Sequence, residues 1–96
     1  MREDRTLTDT AELLRLLANP VRLAIVLDLA GRPMTVTELV GSVGASQSLV
    51  SQHLRLLRAS RLVMDRRKGR QVVYSLVDEH VAHIAQDAQR HITEAV

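Results

Sequence analysis

The 96-residue sequence predicts a single, mainly α-helical domain, residues 1–96, with one small β-hairpin. Three observations lead to this fold class. Apolar residues recur at helical spacing in several segments, an asparagine-proline pair marks a junction between two helices, and one late segment is rich in β-favouring residues around a turn signal. The predicted order of elements is therefore α-α-α-α-β-β-α.

The first two helices are predicted to meet at Asn19-Pro20. Thr8 or Asp9 can cap the first helix, after a polar N-terminal segment of seven residues that we expect to be loose. The residue before a proline avoids the helical region, so the first helix ends there. Asn19 then caps the second helix, with Pro20 at its first position. This helix runs to Gly31 and is apolar nearly all round, which predicts the buried centre of the domain.

The middle of the chain predicts a helix-turn-helix. Thr35 and Glu38 match the capping-box pattern, so a short third helix starts there and ends near Gly41 or Gly44. Ser46 is a suitable cap for a fourth helix of about 13 residues. Residues 61–77 then favour a β-hairpin with its turn at Lys68-Gly69, and the last helix covers DEHVAHIAQDAQRHITEAV, residues 78–96.

Composition excludes several classes of protein. There is no cysteine, which excludes disulfides and thiolate metal sites. The one aromatic residue, Tyr74, argues against binding of single-stranded nucleic acid through stacked bases. No apolar run approaches the roughly 18 residues of a membrane span and no signal peptide opens the chain, so we expect no membrane partner and a cytoplasmic location. A chain this short would gain further burial from dimerisation.

Charge is distributed unevenly along the chain. Residues 1–45 carry five basic and six acidic groups, a net charge of −1. Residues 46–72 carry seven basic groups and one acidic group, a net charge of +6. Residues 73–96 carry one basic and four acidic groups, a net charge of −3. A basic middle segment beside an acidic tail indicates that the middle meets a polyanion.

The predicted fourth helix and hairpin carry the candidate DNA-binding residues. Amide and hydroxyl side chains on the polar side of this helix can bond to base edges in the major groove, and arginine can reach phosphates. A basic hairpin tip directly after a helix-turn-helix is the layout of a winged helix on double-stranded DNA. The candidate residues are Gln47, Ser48, Ser51, Gln52 and Arg55 on the helix and Arg66, Arg67, Lys68 and Arg70 on the hairpin. His53 lies on the apolar side, where we expect a partly buried core residue with its polar atoms satisfied.

The sequence resembles the ArsR/SmtB family of winged-helix repressors over about residues 10 to 95. The resemblance implies a homodimer on an operator with dyad symmetry, dimerisation through the first and last helices (residues 8–18 and 78–95), and release from DNA when an inducer, often a metal ion, binds. Many members carry a cysteine motif near the start of the third helix, and its absence here excludes sensing through that site. The matching stretches are LLRLLANPVRLAIVLDLA (13–30), TVTELVGSVGASQSLVSQHLRLLRASRLV (35–63) and RKGRQVVYSLVD (67–78).

Other members of the family bind metal on the last helix, and the resemblance assigns four ligands here: Asp78, His80, His91 and Glu94. His80 and His91 are 11 residues apart, about 16 Å along a helix, so one chain cannot bring both to one ion with bonds of about 2 Å. The midpoint between positions 80 and 91 is 85.5, and the midpoint between positions 78 and 94 is 86, so the two nearly coincide. If a second copy of the helix packs antiparallel about this point, Asp78 and His80 of one chain lie beside His91 and Glu94 of the other. Two such sites would form per dimer.

Two nitrogen and two oxygen donors suit tetrahedral Zn²⁺, and Co²⁺ can replace it. Ni²⁺ usually takes more ligands, which would have to come from His83, Asp87 or the N-terminal residues, and the N-terminal stretch MREDR has no histidine. His83 and Asp87 face the same side of the helix as His80, His91 and Glu94, which we call the ligand row. They are interpreted as hydrogen-bonding support for the ligands, an alternative ligand set or a solvated pair. Around the helix axis, Asp78 lies 160° away from His80 and therefore off this row. Asp78 could instead be a helix cap.

The sequence thus predicts a zinc-responsive DNA-binding repressor. The alternatives are a nickel- or cobalt-responsive repressor of the same family and a DNA-binding regulator with no metal input. A metal buffer would bind zinc but no duplex DNA. An enzyme would need an open coordination position and a substrate cleft, so the chain is predicted not to be an enzyme.

Overall fold

The computed structural model describes residues 4–94, which form five helices and three strands. The mainly helical fold class with a small sheet is confirmed. None of the helices within the described range combines the length and apolarity needed to cross a bilayer. In chain order the elements are α1 (Arg5–Leu17), α2 (Pro20–Gly31), β1 (Met34–Thr35), α3 (Val36–Val43), α4 (Gln47–Ala59), β2 (Val63–Lys68), β3 (Gln71–Leu76) and α5 (Glu79–Glu94).

The sheet has a third strand beyond the predicted hairpin, in the order β1-β3-β2. β1 pairs antiparallel with β3, with Met34 opposite Tyr74 and Thr35 opposite Val73. Two residues are too few to leave an alternating pattern in the sequence, and their partners lie about forty positions further along. The element order is therefore corrected to α-α-β-α-α-β-β-α, with β1 joining the start of α3 to the hairpin.

α1 starts earlier than predicted, because Asp4 caps it in place of Thr8 or Asp9. Asp4 Oδ1 accepts the Thr6 N–H at 2.9 Å, and the Thr8 N–H bonds to the Asp4 carbonyl at 3.0 Å. The first two turns are exposed, so they contain no apolar period that would reveal the helix. Of the seven N-terminal residues expected to be loose, the first three lie outside the described range and the rest form the cap and the first turn.

The junction between α1 and α2 forms as predicted. Asn19 is extended, and its Oδ1 accepts the N–H groups of Val21 at 3.0 Å and Arg22 at 3.1 Å. Pro20 occupies the first turn, where its missing N–H costs nothing. One asparagine side chain therefore satisfies two of the otherwise unpaired amides at the start of α2.

α2 is the centre of the domain, as its apolar sequence predicts. Ile25 and Val26 are fully buried, and Leu29 is buried beside them. The helix contacts α1, α3, α4, α5 and β3. Because it is apolar on most sides, it can pack against all of these elements at once.

Two local devices set the helix-turn-helix geometry. Thr35 Oγ1 accepts the Glu38 N–H at 3.2 Å and Glu38 Oε1 accepts the Thr35 N–H at 3.0 Å, which completes the predicted capping box. The Thr35 N–H, followed by the Arg32 guanidinium, lowers the pKa of Glu38. α3 ends at Gly44, whose φ of +78° is a left-handed conformation that glycine adopts at little cost.

α5 is buried against the rest of the chain only in its first half. Val81 and Ala85 are 3% and 1% exposed and belong to the core, and α5 packs mainly on α2. Ile92, in the second half, is 69% exposed, and α1 exposes Leu7 and Leu14 at 51% each. The first and last helices therefore both present large apolar side chains to solvent.

Candidate nucleic-acid interface and candidate metal ligands

α4 presents its polar side to solvent. Val50, Leu54 and Leu57 on the opposite side are at most 1% exposed and fix the helix on the core. The Ser46 hydroxyl caps the first turn by accepting a backbone N–H at 3.1 Å. The residues predicted to contact DNA lie on the outer side and, apart from half-buried Ser51, are exposed: Gln47, Ser48, Gln52 and Arg55.

His53 is half-buried on the inner side of α4, as predicted. Its Nδ1 lies 3.3 Å from Arg22 Nη1, so the ring is held by the start of α2. Burial of the ring, followed by the charge of Arg22, lowers the pKa of His53. No local pattern predicts this contact, because the two residues are 31 positions apart.

The hairpin after α4 carries a short turn at its tip. Lys68 pairs with Gln71, which leaves Gly69 and Arg70 as the turn. Gly69 has φ +65°, so its left-handed conformation explains why glycine occupies this position. Arg70 is exposed at the point of the hairpin.

The hairpin cations do not form one cluster. Side chains alternate between the two faces of a strand, so Arg66 and Lys68 lie on one face and Arg67 on the other. Arg66 and Lys68 line a groove of about 610 Å³ that Arg32 and Glu38 also line. Arg32 Nη1 lies 3.1 Å from Glu38 Oε2, so Arg32 is engaged within the domain although it lies beside the hairpin.

One ion pair joins α4 to the hairpin. Arg58 Nε lies 3.1 Å from Asp65 Oδ1, and Asp65 is the only acid in the basic middle segment. Such a pair is worth roughly 0–1 kcal/mol when exposed, so its main effect is to fix orientation. Arg58 is therefore engaged within the domain and does not extend the free basic surface.

The candidate metal ligands form two separate pairs at opposite ends of α5. At the start, His80 Nδ1 lies 3.6 Å from Asp78 Oδ1, and the His80 side chain is 90% exposed. At the end, His91 and Glu94 are both exposed, and Glu94 Oε2 lies 3.8 Å from Arg90 Nε. Within residues 4–94 of this single chain, no three side chains of metal-binding type come together.

Asp78 acts as the predicted helix cap and still lies beside His80. Its Oδ1 accepts the Val81 N–H at 3.2 Å. This N–H, followed by the neighbouring His80, lowers the pKa of Asp78, so the carboxylate stays ionised in mildly acidic solution. Because Asp78 precedes the helix, it does not follow the 100° spacing that would turn it away from the ligand row.

His83 and Asp87 lie on the exposed surface of α5. Asp87 Oδ1 is 3.5 Å from Arg90 Nη1, an exposed i,i+3 pair. All three interpretations of His83 and Asp87 therefore remain predictions, and support for the ligands or an alternative ligand set would need a second chain.

A helix-turn-helix with an exposed polar face, followed by a basic hairpin, defines a winged-helix DNA-binding regulator. The family model described as "Bacterial regulatory protein, arsR family" matches residues 19–65. The chain belongs to this ArsR family, as the sequence resemblance indicated.

Two related regulators match this sequence over most of its length. It is 50% identical over 91 residues to the HTH-type transcriptional repressor SmtB of Mycobacterium tuberculosis, covering 94% of this chain and 67% of that protein. It is 42% identical over 89 residues to the HTH-type transcriptional regulator NmtR of the same species, covering 93% of this chain and 74% of that protein.

A solved structure also matches closely. The homodimeric winged helix-turn-helix DNA-binding domain of Mb0332 from Mycobacterium bovis superimposes with a TM-score of 0.83 at 29% identity, covering 98% of this chain and 90% of that one. The predicted winged-helix architecture is confirmed. The protein is a transcriptional regulator of the ArsR/SmtB family and, as predicted, not an enzyme.

Proposed function

We propose that this protein is a zinc-responsive repressor that binds operator DNA as a homodimer and releases it when metal binds between the last helices. The observation that carries the proposal is the division of four donors into two pairs at opposite ends of α5. Zinc takes about four ligands, and each end of one helix offers two. Two antiparallel copies of α5 would supply complete sets.

The DNA-binding part of the proposal is supported by α4 and the hairpin. Gln47 and Ser48 lie in the exposed first turn of α4, where amide and hydroxyl groups can contact base edges. Arg66, Lys68 and Arg70 are exposed on the hairpin and suit backbone phosphates. Core packing and a cap hold α4, so this surface is complete in one chain.

The homodimer is supported by the exposed apolar residues of α1 and α5. Leu7 and Leu14 on α1 and Ile92 on α5 are each more than half exposed. Exposed large apolar side chains thus occur on both of the helices that are predicted to form the dimer interface. A second copy of the chain would cover them and, through its two-fold axis, place two DNA-reading helices on successive turns of the duplex.

The donor set fits zinc. His80 is almost fully accessible and the Asp78 carboxylate is ionised, so both are ready donors. His91 and the partner subunit's copies of Asp78 and His80, with Glu94, would complete a set of two nitrogens and two oxygens. Glu94 would have to leave its long contact with Arg90. Co²⁺ would suit the same set.

Bound metal would tie the two last helices together. If the tied dimer holds its α4 helices at the wrong spacing, metal weakens operator binding, and operator weakens metal binding by the same factor. Ligand histidines must be neutral to bind metal, so metal affinity should be lower in acid, where protons compete with the metal.

The test is zinc titration of wild type, His91→Ala and His83→Ala, with binding to an operator-containing duplex measured at each point. Wild type and His83→Ala should release DNA as zinc is added, while His91→Ala should stay bound. Equal release by His91→Ala and wild type would contradict the ligand assignment. No effect of zinc on wild type would favour a regulator without metal input, and release by nickel that also requires His83 would favour a six-coordinate metal.

A further inference from the structure

The Arg22 side chain joins two elements that are distant from each other. Its Nε donates to the carbonyl of Leu16 in the last turn of α1. The helical donor for that carbonyl would be the N–H of residue 20, which is a proline and has none. Arg22 Nη1 lies 3.3 Å from His53 Nδ1 on α4. Arg22 thus supplies the bond that Pro20 cannot and reaches α4 with the same guanidinium.

The contact between Arg22 and His53 fixes the state of the histidine. An arginine side chain stays protonated and only donates hydrogen bonds. Nδ1 of His53 must therefore accept, so the ring is neutral and carries its proton on Nε2. Protonation of Nδ1 would set two donors and two positive charges against each other at 3.3 Å.

Within residues 4–94, the groove beside His53 offers no negative charge to stabilise a protonated ring. The groove beside it is lined by Arg22 from α2 and by residues of α4 that include Arg55 but no acid. Asp28 of α2 does not line this groove, and the acids of the other packed elements contact other residues or line other grooves: Glu38 of α3 contacts Thr35 and Arg32, Asp65 of β2 contacts Arg58, Glu12 of α1 contacts Arg15, and Asp9 of α1 lines a separate groove with Leu13 and Leu16. Burial and the Arg22 charge lower the pKa of His53 accordingly.

We propose that Arg22 and His53 form a positioning pair, which sets the orientation of the DNA-reading helix α4 relative to α1, and that protonation of His53 releases it. The proposal rests on the operator binding proposed above and adds a control point separate from α5. Neither residue needs to touch DNA. The pair links the end of α1, which exposes large apolar side chains, to the middle of α4. The outer side of α4 carries Gln52 and Arg55.

Three proteins test the pair: wild type, His53→Asn and His53→Leu. Asparagine offers an acceptor near the position of Nδ1 but does not titrate, whereas leucine fills the space without an acceptor. Affinity is measured for a duplex selected from a random pool with the wild-type protein at pH 7.5, at constant salt and with a chelator that removes metal. The pH is varied from about 4.5 to 8, a range that extends well below the ordinary histidine pKa because that of His53 is lowered.

At pH 7.5, His53→Asn should bind like wild type and His53→Leu about five- to tenfold more weakly, the value of one or so hydrogen bonds. As the pH falls below the ordinary histidine pKa and through the lowered pKa of His53, wild type should lose affinity relative to His53→Asn. General protonation of histidines would instead tighten binding to a polyanion, so the direction separates the two effects. Wild-type affinity for His53→Leu, or identical pH profiles for wild type and His53→Asn, would overturn the proposal.

A second measurement does not depend on DNA. Nitrogen-15 NMR of the His53 ring should show the Nε2–H tautomer and a pKa below that of an ordinary histidine. An Nδ1–H tautomer would overturn the pair even if operator binding is intact. If the tautomer is as stated but wild type selects no duplex from the pool, the operator-binding proposal fails and the positioning role fails with it.

Discussion

The two helices that carry the candidate DNA-contacting and metal-binding residues, α4 and α5, are held in different ways. α4 is fixed along its length by buried Leu54 and Leu57, by the Ser46 cap and by ion pairing of Arg58 with the hairpin. α5 is buried through its first half only, and its second half exposes Ile92. Its ion pairs lie within the helix or at its own cap.

Because of this difference, one chain can form the candidate DNA-contacting surface on α4, whereas the candidate metal site on α5 needs a second chain. DNA-reading residues must hold their spacing, and packing on three elements gives α4 that rigidity. The donor pairs of α5 lie about 16 Å apart on one rigid helix, so no movement within the chain can unite them. A helix with a free second half is suited to pair with its own copy.

The largest expected effect is loss of α4 packing. Leu57→Ala removes a fully buried side chain and should lower the free energy of unfolding by about 2–5 kcal/mol, measured by denaturant titration. Ile92→Ala is the matched change on α5. It should leave the packing of α4 intact and raise the dimer dissociation constant about tenfold, measured by sedimentation. Unchanged dimerisation of Ile92→Ala would place the interface elsewhere.

An intermediate effect concerns the free cations of the hairpin. Arg66→Gln should weaken duplex binding and reduce the slope of log affinity against log salt by about one, because one phosphate contact is lost. Arg90→Gln on α5 removes the same charge from a site already paired with Asp87 and Glu94. It should leave the slope unchanged. Equal slopes for Arg66→Gln and wild type would show that this face of the hairpin does not meet DNA.

The smallest effect is expected at the start of α5 in acid. The Val81 N–H lowers the pKa of Asp78, so its stabilising contribution is complete above about pH 4 and is lost as the pH falls through the lowered value. Asp78→Asn keeps an acceptor for the cap but removes this titration. Between about pH 5 and 3 its melting temperature should therefore fall less than that of wild type.

Asp87→Asn is the control for this acid effect, since within the described residues the Asp87 carboxylate contacts Arg90 and no backbone N–H. It should follow wild type through the acid range. If Asp78→Asn also follows wild type, the Asp78 carboxylate does not stabilise the start of α5.

Prediction from sequence succeeded where the signal is local. The Asn19 cap, the Thr35 and Glu38 capping box and the Ser46 cap each join groups within about three residues, so residue types alone locate them. Prediction failed where the sequence carries no local pattern. Asp4 caps a solvated stretch without apolar periodicity, and β1 is too short to alternate.

The sequence by itself determined that the chain has five helices and a hairpin, the caps of α2, α3, α4 and α5, and the uneven charge, because these follow from residue types and spacing along one chain. Tertiary structure decided which distant groups meet. β1 pairs with β3, Arg58 with Asp65, and Arg22 with His53, across as many as 40 positions between Met34 and Tyr74. Such contacts depend on the angles at which helices pack, and local periodicity does not record those angles.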